Sequence, residues 1–214
     1  MTDIHSHILY GLDDGAQTRA ESKAMLEAAK AAGVDRIVAT PHARRLPVDR
    51  ALAQARLQEL RTFSEADGIR LYLGYELHWN VLLALTEADY TDYCLPGGST
   101  MLLEFSLTMA EAPQGHEQRI YRLQRDGFHI VIAHPERYPF VRRRPDVAER
   151  WHDMGCELQC DASCLRRDRE FGSKRAARRL FERDLYDYFA SDAHCAGDYE
   201  RFGKAMEWVD KHSN

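Results

Sequence analysis

Short apolar runs alternate along the chain with longer amphipathic stretches, in which apolar residues recur every three or four positions. The short runs predict buried β-strands, and the longer stretches predict helices. The predicted strands cover residues 2–5, 36–40, 71–76, 101–105, 129–133, 156–160 and 186–190. The predicted helices cover residues 19–32, 48–66, 117–125, 146–154, 174–183 and 199–211.

This alternation predicts an α/β fold, because parallel neighbouring strands need a crossover connection that a helix supplies. Seven strand–helix units favour a closed or nearly closed barrel over a six-stranded open sheet, and a doubly wound open sheet is the structural alternative. The 214 residues fit a single domain, residues 1–214, with no linker or short-period repeat to divide it.

Composition narrows the class of protein. The formal net charge of -5 gives no basic footprint for nucleic acid. No apolar run approaches the roughly 20 residues of a membrane span, and the polar N-terminus lacks the pattern of a signal peptide. Five cysteines, an odd number, are expected to be reduced thiols. We therefore expect a soluble, cytoplasmic protein without membrane insertion or nucleic-acid binding; the sequence leaves its oligomeric state open.

Histidines and carboxylates follow the predicted strands, at the end where each strand finishes. His5 and His7 close the first strand, and Asp13 and Asp14 come soon after. Because the carboxyl ends of parallel strands share the face on which barrel active sites are built, we expect these side chains to meet. Six of the seven predicted strands deliver such a residue. The residues that follow the later strands are His42, Glu76, Glu104, His134, Asp192 and His194.

The spacing of these residues predicts a metal site. Side chains alternate along an extended segment, so His5 and His7 point the same way, as do Asp192 and His194. Imidazole and carboxylate donors together suit Zn, Mn or Fe. So many donors exceed the about four to six that one ion takes. We therefore expect two or three ions that share a bridging carboxylate, and the spacing alone does not choose between neighbouring aspartates.

Other histidines carry no such signal. His78, His116, His152 and His212 are interpreted as polar loop or surface residues. His129 opens its strand, lies at the opposite face, and is expected to be structural. A lone His-x-His pair is weak evidence for metal; the recurrence of donors at one face is what favours a metal site.

The donors stand in segments that resemble a known superfamily. The segments are DIHSHILYGLDDG, ATPH, GYE, LLEF, IAHPERY and ASDAH, in that order along the chain. They resemble the polymerase and histidinol phosphatase (PHP) superfamily, and most closely the bacterial PHP-type protein tyrosine phosphatases of capsule and exopolysaccharide systems. The resemblance extends from the N-terminus to about residue 200.

The resemblance implies a distorted (β/α)7 barrel with three metal ions, often manganese or iron, at the carboxyl ends of the strands. It also implies that Glu76 bridges two ions and that Asp14, rather than Asp13, is a ligand. Tyr199 stands about where members often carry a second phosphate-binding arginine, and Arg201 is the nearest candidate for that role. The implied ligands are His5, His7, Asp14, His42, Glu76, Glu104, His134, Asp192 and His194, and the implied phosphate-binding arginine is Arg137.

The same resemblance implies a function. It predicts metal-dependent hydrolysis of phosphotyrosine on a protein partner, in particular a bacterial tyrosine kinase that regulates exopolysaccharide or capsule synthesis. Metal ions activate water at neutral pH, and Arg137 can bind two phosphoryl oxygens in a fork. His42 and His194 are the histidines that we take as catalytic candidates beside Arg137. Further arginines are expected to ring the mouth of the site, at positions 44, 45, 142–144, 166 and 167.

Two other phosphatase classes compete with this interpretation. A small-molecule phosphomonoesterase, such as a histidinol-phosphate phosphatase, would have the same metal site and different surrounding loops. A cysteine phosphatase would use a Cys, five residues and an Arg, a spacing found from Cys195 to Arg201 and from Cys160 to Arg166. Acidic residues inside both segments would repel a phosphate dianion, which disfavours a cysteine nucleophile there.

Three classes outside the phosphatases are also disfavoured. A proofreading nuclease would need a more basic surface, and an inactive binding module would have no need to hold many convergent carboxylates. A metal-dependent amidohydrolase would place a lysine or further histidines mid-chain, where this chain has Glu76 and Glu104.

Overall fold

Nine strands and eight α-helices alternate in the computed structural model of the chain, which describes residues 1–66 and 68–213. The strands are β1 (Thr2–Ser6), β2 (Arg36–Ala39), β3 (His42–Ala43), β4 (Arg70–Leu73), β5 (Glu76–His78), β6 (Thr100–Glu104), β7 (His129–Ala133), β8 (Glu157–Asp161) and β9 (Tyr188–Ala190). The helices are α1 (Arg19–Ala31), α2 (Arg50–Ser64), α3 (Trp79–Ala84), α4 (His116–Arg125), α5 (Pro139–Arg143), α6 (Asp146–Asp153), α7 (Ser173–Phe181) and α8 (Ala196–His212). Three 3-10 turns cover Glu87–Tyr93, Pro135–Arg137 and Ala162–Leu165.

The strands form two sheets in which every pair is parallel. The smaller sheet has the order β1-β2-β4, and the larger has the order β3-β5-β6-β7-β8-β9. The predicted α/β class with parallel strands is therefore confirmed, whereas the sheet order by itself does not define a barrel.

The prediction of seven strands was wrong at two places. The strand predicted over residues 36–40 continues after a break at Thr40 and Pro41 as β3, and the strand predicted over 71–76 is divided into β4 and β5. Backbone hydrogen bonds bridge the first break, since Thr40 N donates to Ser6 O at 2.8 Å and Glu76 N donates to Pro41 O at 3.3 Å. Each divided strand thereby belongs to both sheets and carries its carboxyl end into the larger one.

The end of β9 lies against the end of β1. Ser6 forms an isolated parallel bridge with Ala193. His7 N donates to Ala193 O at 2.9 Å, and Asp192 N donates to His5 O at 3.0 Å. These bonds place the first and last donor pairs of the chain side by side.

The larger sheet is buried on both faces. Leu102 and Leu103 of β6 and Val131 of β7 are fully buried, as expected for a parallel strand covered on both faces. The hydroxyl of Tyr138 donates to Ala133 O at 2.7 Å and accepts from Phe105 N at 3.0 Å. This buried tyrosine ties together the two strand ends that carry candidate ligands.

None of the helices in the described part of the chain is long and apolar enough to cross a membrane.

Candidate metal centre

The nine predicted ligands converge on one region at the carboxyl ends of the strands. Their donor atoms fall into four overlapping groups, and within each group all the atoms lie within 4.8 Å of one another. The groups are His7, Asp14, His42 and His194; His5, Glu76 and His134; His5, His7 and Asp192; and His42, Glu76 and Glu104. Four groups with shared members are consistent with more than one ion.

Glu76 lies at the middle of the cluster and is fully buried. Its Oε1 is 2.8 Å from His134 Nε2 and 3.4 Å from His5 Nε2. Its Oε2 contacts His42 Nδ1 and is 3.5 Å from His7 Nε2. One carboxylate thus faces four imidazoles, two on each oxygen, which is the placement that a bridging ligand requires.

Asp13 and Asp14 contact different atoms of the cluster and therefore have different roles. Asp14 Oδ1 is 3.1 Å from His42 Nε2 and 3.5 Å from His194 Nε2, on the side of the cluster that is open to solvent. Asp13 Oδ2 instead lies 2.7 Å from His7 Nδ1, and this atom also accepts from His42 N at 2.9 Å. Asp13 therefore orients His7 from behind, and Asp14 is the aspartate that faces the donors.

The far nitrogens of two histidines have fixed partners. His5 Nδ1 lies 2.9 Å from Gln159 Oε1, and an amide oxygen only accepts, so Nδ1 carries the proton. His7 Nδ1 likewise donates to Asp13. The two Nε2 atoms then present lone pairs to each other at 3.2 Å. Such a contact needs either a proton on one nitrogen or a metal ion beside both, and a metal centre supplies the ion.

Several donor atoms lack a hydrogen bond of acceptable geometry although they are buried. They include Glu76 Oε2 and both ring nitrogens of His42. Buried polar atoms normally have partners, so these atoms fit a cluster whose missing partners are metal ions. The donor set of imidazoles and carboxylates, without a thiolate, fits Zn, Mn or Fe.

Two of the candidate ligands adopt a strained backbone. His134 has φ 32° and Asp192 has φ 46°, both in the left-handed region that side-chain-bearing residues seldom occupy. Strain of this kind persists where surrounding structure determines it, and it clusters at functional sites. Here it turns both side chains from the ends of β7 and β9 toward the centre.

Charges within the cluster shift the pKa values of its members in opposite directions. Burial alone would lower the pKa of His5, but Glu76 and Asp192 raise it to about 9. Burial would also lower the pKa of His42, but Glu76 and Asp14 raise it to about 10. Burial would raise the pKa of Glu76, but the histidines hold it well below its usual range. In the absence of ions, protons on the histidines offset the carboxylates.

Arg137 lies beside this cluster and is nearly buried. Its Nη1 donates to Asp192 Oδ2, while its Nε and Nη2 donate to Glu170 at 3.0 and 2.8 Å. Three of its five N–H donors are thereby used. The two that remain, one on each terminal nitrogen, form a fork that can take two oxygens of one phosphoryl group.

Arg201 is placed differently from Arg137. Its guanidinium donates to Asp198 Oδ1 from Nε at 3.2 Å and from Nη2 at 2.5 Å. It also lines a cavity of about 230 Å³ with Ser163, Arg166, Arg167 and Lys204. Its neighbour Tyr199, at the position where a second arginine was expected, is fully buried and donates to Ser6 Oγ at 2.9 Å.

The two cysteine segments do not form phosphate cradles. Cys195 is the N-cap of α8, so the residues that follow it are helical instead of forming a loop, and its Sγ lies 3.3 Å from Asp198 Oδ2. Cys160 is fully buried in β8, and burial raises the pKa of its thiol well above the usual range. Cys160 is not accessible, and Cys195, although exposed, faces the carboxylate of Asp198, so neither thiol has the setting of a nucleophile.

Some residues of the site were missed from the sequence. Gln159 comes from the one predicted strand that supplied no ligand, and alternation along β8 would have been the signal that it faces inward. Glu170, which holds Arg137, lies in a loop without a motif.

Two residues named from the sequence have contacts that the structure now defines. Arg44 was expected at the mouth, and it contacts Glu104 at 3.1 Å. His116, expected to be a polar loop residue, is buried against Phe105.

Comparison with known proteins agrees with this arrangement of residues. The family model described as "Capsular polysaccharide synthesis, CpsB/CapC" matches residues 1–214. The chain belongs to the CpsB/CapC family. The tyrosine-protein phosphatase CpsB of Streptococcus pneumoniae is 33% identical over 91% of this chain and 83% of its own length. The tyrosine-protein phosphatase YwqE of Bacillus subtilis is 31% identical over 91% of this chain and 77% of its own.

Solved structures extend the similarity of this CpsB/CapC family member to the fold. A structure from work on YwqE of Bacillus subtilis and CpsB of Streptococcus pneumoniae, described as unique metal-dependent tyrosine phosphatases, matches with a TM-score of 0.83 and 28% identity. The match covers 100% of this chain and 87% of that one. A β-aspartyl dipeptidase of Fervidobacterium islandicum matches with a TM-score of 0.50 at 14% identity, which is a likeness of fold alone. The predicted resemblance is confirmed.

Proposed function

We propose that this protein is a metal-dependent phosphatase that hydrolyses phosphotyrosine on proteins. The observation that carries the proposal is the convergence of nine imidazole and carboxylate side chains on a buried centre beside Arg137. Metal ions and a guanidinium fork are the two features that a phosphoryl group needs for binding and for charge neutralisation. The naming of related CpsB and YwqE proteins as tyrosine phosphatases supports the same activity.

The nine converging side chains are proposed to hold two or three ions, Mn, Fe or Zn, with Glu76 as the bridge. The seven strand units are proposed to form a distorted (β/α)7 barrel within one domain. The contacts between the ends of β1 and β9 support closure, because they join the two sheets on the side opposite the divided strands. A ring of this kind would place all carboxyl ends around one opening.

Bound ions would lower the pKa of a water ligand from 15.7 toward about 7 and would offset charge on phosphoryl oxygens. The protein's own side chains bind and orient the phosphoryl group. Arg137 binds two phosphoryl oxygens with its free fork and is held in place by Glu170. His42 and His194 flank Asp14 on the open side, where they are the histidines nearest an entering phosphoryl group.

The substrate class follows from the leaving group and from the family. Phenolate leaves readily, so phosphotyrosine needs little acid assistance from the protein. Because the family is that of capsular polysaccharide synthesis, the proposed partner is a phosphotyrosine protein of such a system, in particular a bacterial tyrosine kinase.

The test is hydrolysis of a phosphotyrosine peptide, measured beside histidinol phosphate, after chelation and again after manganese is added. We expect activity on the peptide to disappear with the chelator, to return with manganese, and to survive alkylation of thiols. Preference for histidinol phosphate would instead identify a small-molecule phosphatase. Activity that resists the chelator and is lost on alkylation would identify a cysteine enzyme and contradict the proposal.

Glu76→Gln is the matched variant for the metal requirement. It keeps the shape of the side chain and removes the charge that two ions would share, so activity is expected to fall by about 10²-fold or more. Metal content per chain, measured by mass spectrometry, should fall with it. Unchanged activity and metal content would contradict the bridging role.

A further inference from the structure

A second guanidinium lies next to Arg137 and is not part of any recognised motif. Arg169 is in the loop between the 3-10 turn Ala162–Leu165 and α7, and its side chain is only 15% exposed. Its Nη2 lies 3.7 Å from Asp192 Oδ2, the same oxygen to which Arg137 donates. The other oxygen of Asp192 lies 3.3 Å from His7 Nε2. Two arginines therefore meet at the outer oxygen of a carboxylate whose inner oxygen faces the metal centre.

The loop that carries Arg169 is held by its own hydrogen bonds. Ser173 Oγ accepts from Arg169 N at 2.9 Å and from Glu170 N at 3.3 Å. Lys174 N donates to Asp168 Oδ1 at 2.9 Å. This loop therefore places two consecutive residues at Arg137: Glu170 orients the Arg137 guanidinium, and Arg169 lies beside that guanidinium.

The guanidinium of Arg169 has carboxylates around it but is poorly bonded to them. Its Nη1 lies 3.4 Å from Asp161 Oδ2 and 3.8 Å from Asp198 Oδ1. Within the described residues this buried nitrogen has no hydrogen-bond partner. A guanidinium kept only to neutralise a carboxylate is expected to donate to it in a fork. The donors of Arg169 are instead left for a further acceptor.

We propose that Arg169 is the second phosphate-binding arginine, acting together with Arg137. This inference rests on the proposed phosphatase function. A phosphotyrosine carries about -1.5 to -2 charges at neutral pH, so two guanidinium groups match it better than one. Arg201 does not fill this place, because among the described residues its guanidinium pairs with Asp198 and with no candidate metal ligand, whereas Arg137 and Arg169 both reach Asp192.

The first measurement compares Arg169→Ala, Arg169→Lys and Arg201→Ala with the wild type, using a phosphotyrosine peptide at saturating manganese. We expect Arg169→Ala to raise KM about 10- to 100-fold, because hydrogen bonds to charged groups are worth about 1.5–3 kcal/mol. Arg169→Lys should recover part of the loss, since it restores a point charge without the fork. Arg122→Ala is the control: this exposed arginine in the last turn of α4 belongs to neither the candidate site nor the arginines expected at its mouth, and no change is expected. A loss in Arg201→Ala together with a normal Arg169→Ala would overturn the assignment.

A purely structural role through Asp161 predicts a different result in a double variant. Asp161→Asn removes the buried charge while its Oδ1 can still accept from Ser163. If Arg169 binds phosphate directly, Arg169→Ala/Asp161→Asn remains as weak as Arg169→Ala. If Arg169 only neutralises Asp161, the double variant recovers the wild-type KM, and the proposal is wrong. The double variant also serves if Arg169→Ala alone fails to fold.

Calorimetric titration of the manganese-loaded protein with inorganic phosphate tests the same residue without turnover. Arg169→Ala should weaken phosphate binding about as much as it raises KM, and Arg122→Ala should leave binding unchanged. A wild type that binds phosphate through Arg169 but does not cleave phosphotyrosine would count against the proposed function alone. Equal phosphate affinity in wild type and Arg169→Ala would count against Arg169 alone.

Discussion

Three histidines of the centre, His5, His7 and His194, are held by different kinds of partner. His5 is held by an amide and His7 by a carboxylate, whereas His194 Nδ1 bonds to the backbone carbonyl of Asp192 at 2.9 Å. A carboxylate partner makes an imidazole a stronger donor than an amide does. The three rings are therefore expected to differ in how tightly they bind an ion, although the sequence presents them as equivalent.

Residue types and strand-end positions were enough to predict eight of the nine converging side chains from the sequence, and for the ninth they left Asp13 and Asp14 open. Gln159 and Arg169 could not be predicted in this way, because they belong to no repeated spacing and reach the centre only through the fold. The choice between Asp13 and Asp14 also required side-chain directions, since both stand in the same loop and only Asp14 faces the open side.

Glu136 provides a pH-dependent contribution to stability that can be isolated. Burial, with the carboxylate of Asp161 nearby, raises its pKa to about 8 from 4.5. The folded protein keeps this proton between those pH values, whereas the unfolded chain releases it. The contribution is therefore fully present below pH 4.5 and is lost as pH rises through about 8, at up to ~1.4 kcal/mol per pH unit.

Glu136→Gln should remove this pH dependence. The amide can accept from Asp161 N and pair with the hydroxyl of Tyr186, as the protonated acid does. Thermal unfolding of both proteins between about pH 5 and pH 9 checks the expectation, because this range includes the pKa of Glu136 in the folded protein. The difference in Tm should shift in favour of the variant as pH rises, and a constant difference would contradict the assignment.

At the scale of elements, the sequence predicted every long helix and strand but not the breaks. Pro41 has no N–H to contribute to a ladder, and Gly74 permits a close approach, since a Cβ there would lie 2.8 Å from Leu95 Cδ2. These residues divide two strands between the sheets. The short helices α3 and α5 were also missed, because six and five residues are too few to show a helical period.

The loop after β1 depends on a close approach between Gly15 and His7. A Cβ on Gly15 would lie 2.5 Å from His7 Cβ and closer still to the His7 carbonyl oxygen. Gly15→Ala is therefore expected to displace His7, to cost about 1–3 kcal/mol, and to reduce the metal content per chain. Metal analysis and thermal unfolding measure both effects. Gly197→Ala is the control, because the nearest atom there is the flexible tip of Arg201 at 3.4 Å.

The N-cap of α8 separates the metal mechanism from a cysteine mechanism. Cys195→Ser should leave the rate of phosphotyrosine hydrolysis unchanged, because Cys195 is the N-cap residue of α8 and takes no part in the proposed catalysis. Serine is a strong N-cap residue, so Tm should stay the same or rise. Steady-state kinetics and thermal unfolding of this variant check both statements, and complete loss of activity in a folded protein would contradict the metal assignment.

At the scale of the molecule, the candidate ligands come from residue 5 to residue 194, so the ions would cross-link distant parts of the chain. Binding that occurs only in the folded state stabilises it by about 2.7 kcal/mol at a hundredfold excess over Kd. We expect a chelator to lower Tm by several degrees, since about 2–4 °C corresponds to 1 kcal/mol at this size. Glu76→Gln should respond less to the chelator; an equal response would contradict its bridging position.

The arginines around the opening act over a longer range than any single contact. Arg44 lies beside Asp14 and Glu104, while Arg166 and Arg167 line the basic cavity with Arg201. We expect these arginines to form a basic rim that concentrates positive potential where an anionic peptide enters, on a chain of net charge -5. KM for a phosphotyrosine peptide is expected to rise with ionic strength, and a KM independent of salt would contradict this steering.

The contact between the two ends of the fold also has a consequence for biosynthesis. Asp3 in β1 accepts from both the backbone N and the hydroxyl of Ser191, at 2.9 and 2.6 Å. A ribosome makes residues 3 to 7 well before residues 191 to 194, at ~5–20 residues per second. Until residues 191 to 194 have been made, the first histidines lie beside a strand whose later neighbour does not yet exist. The centre is thus completed only after these residues are added, and a nascent chain that lacks them carries an incomplete site.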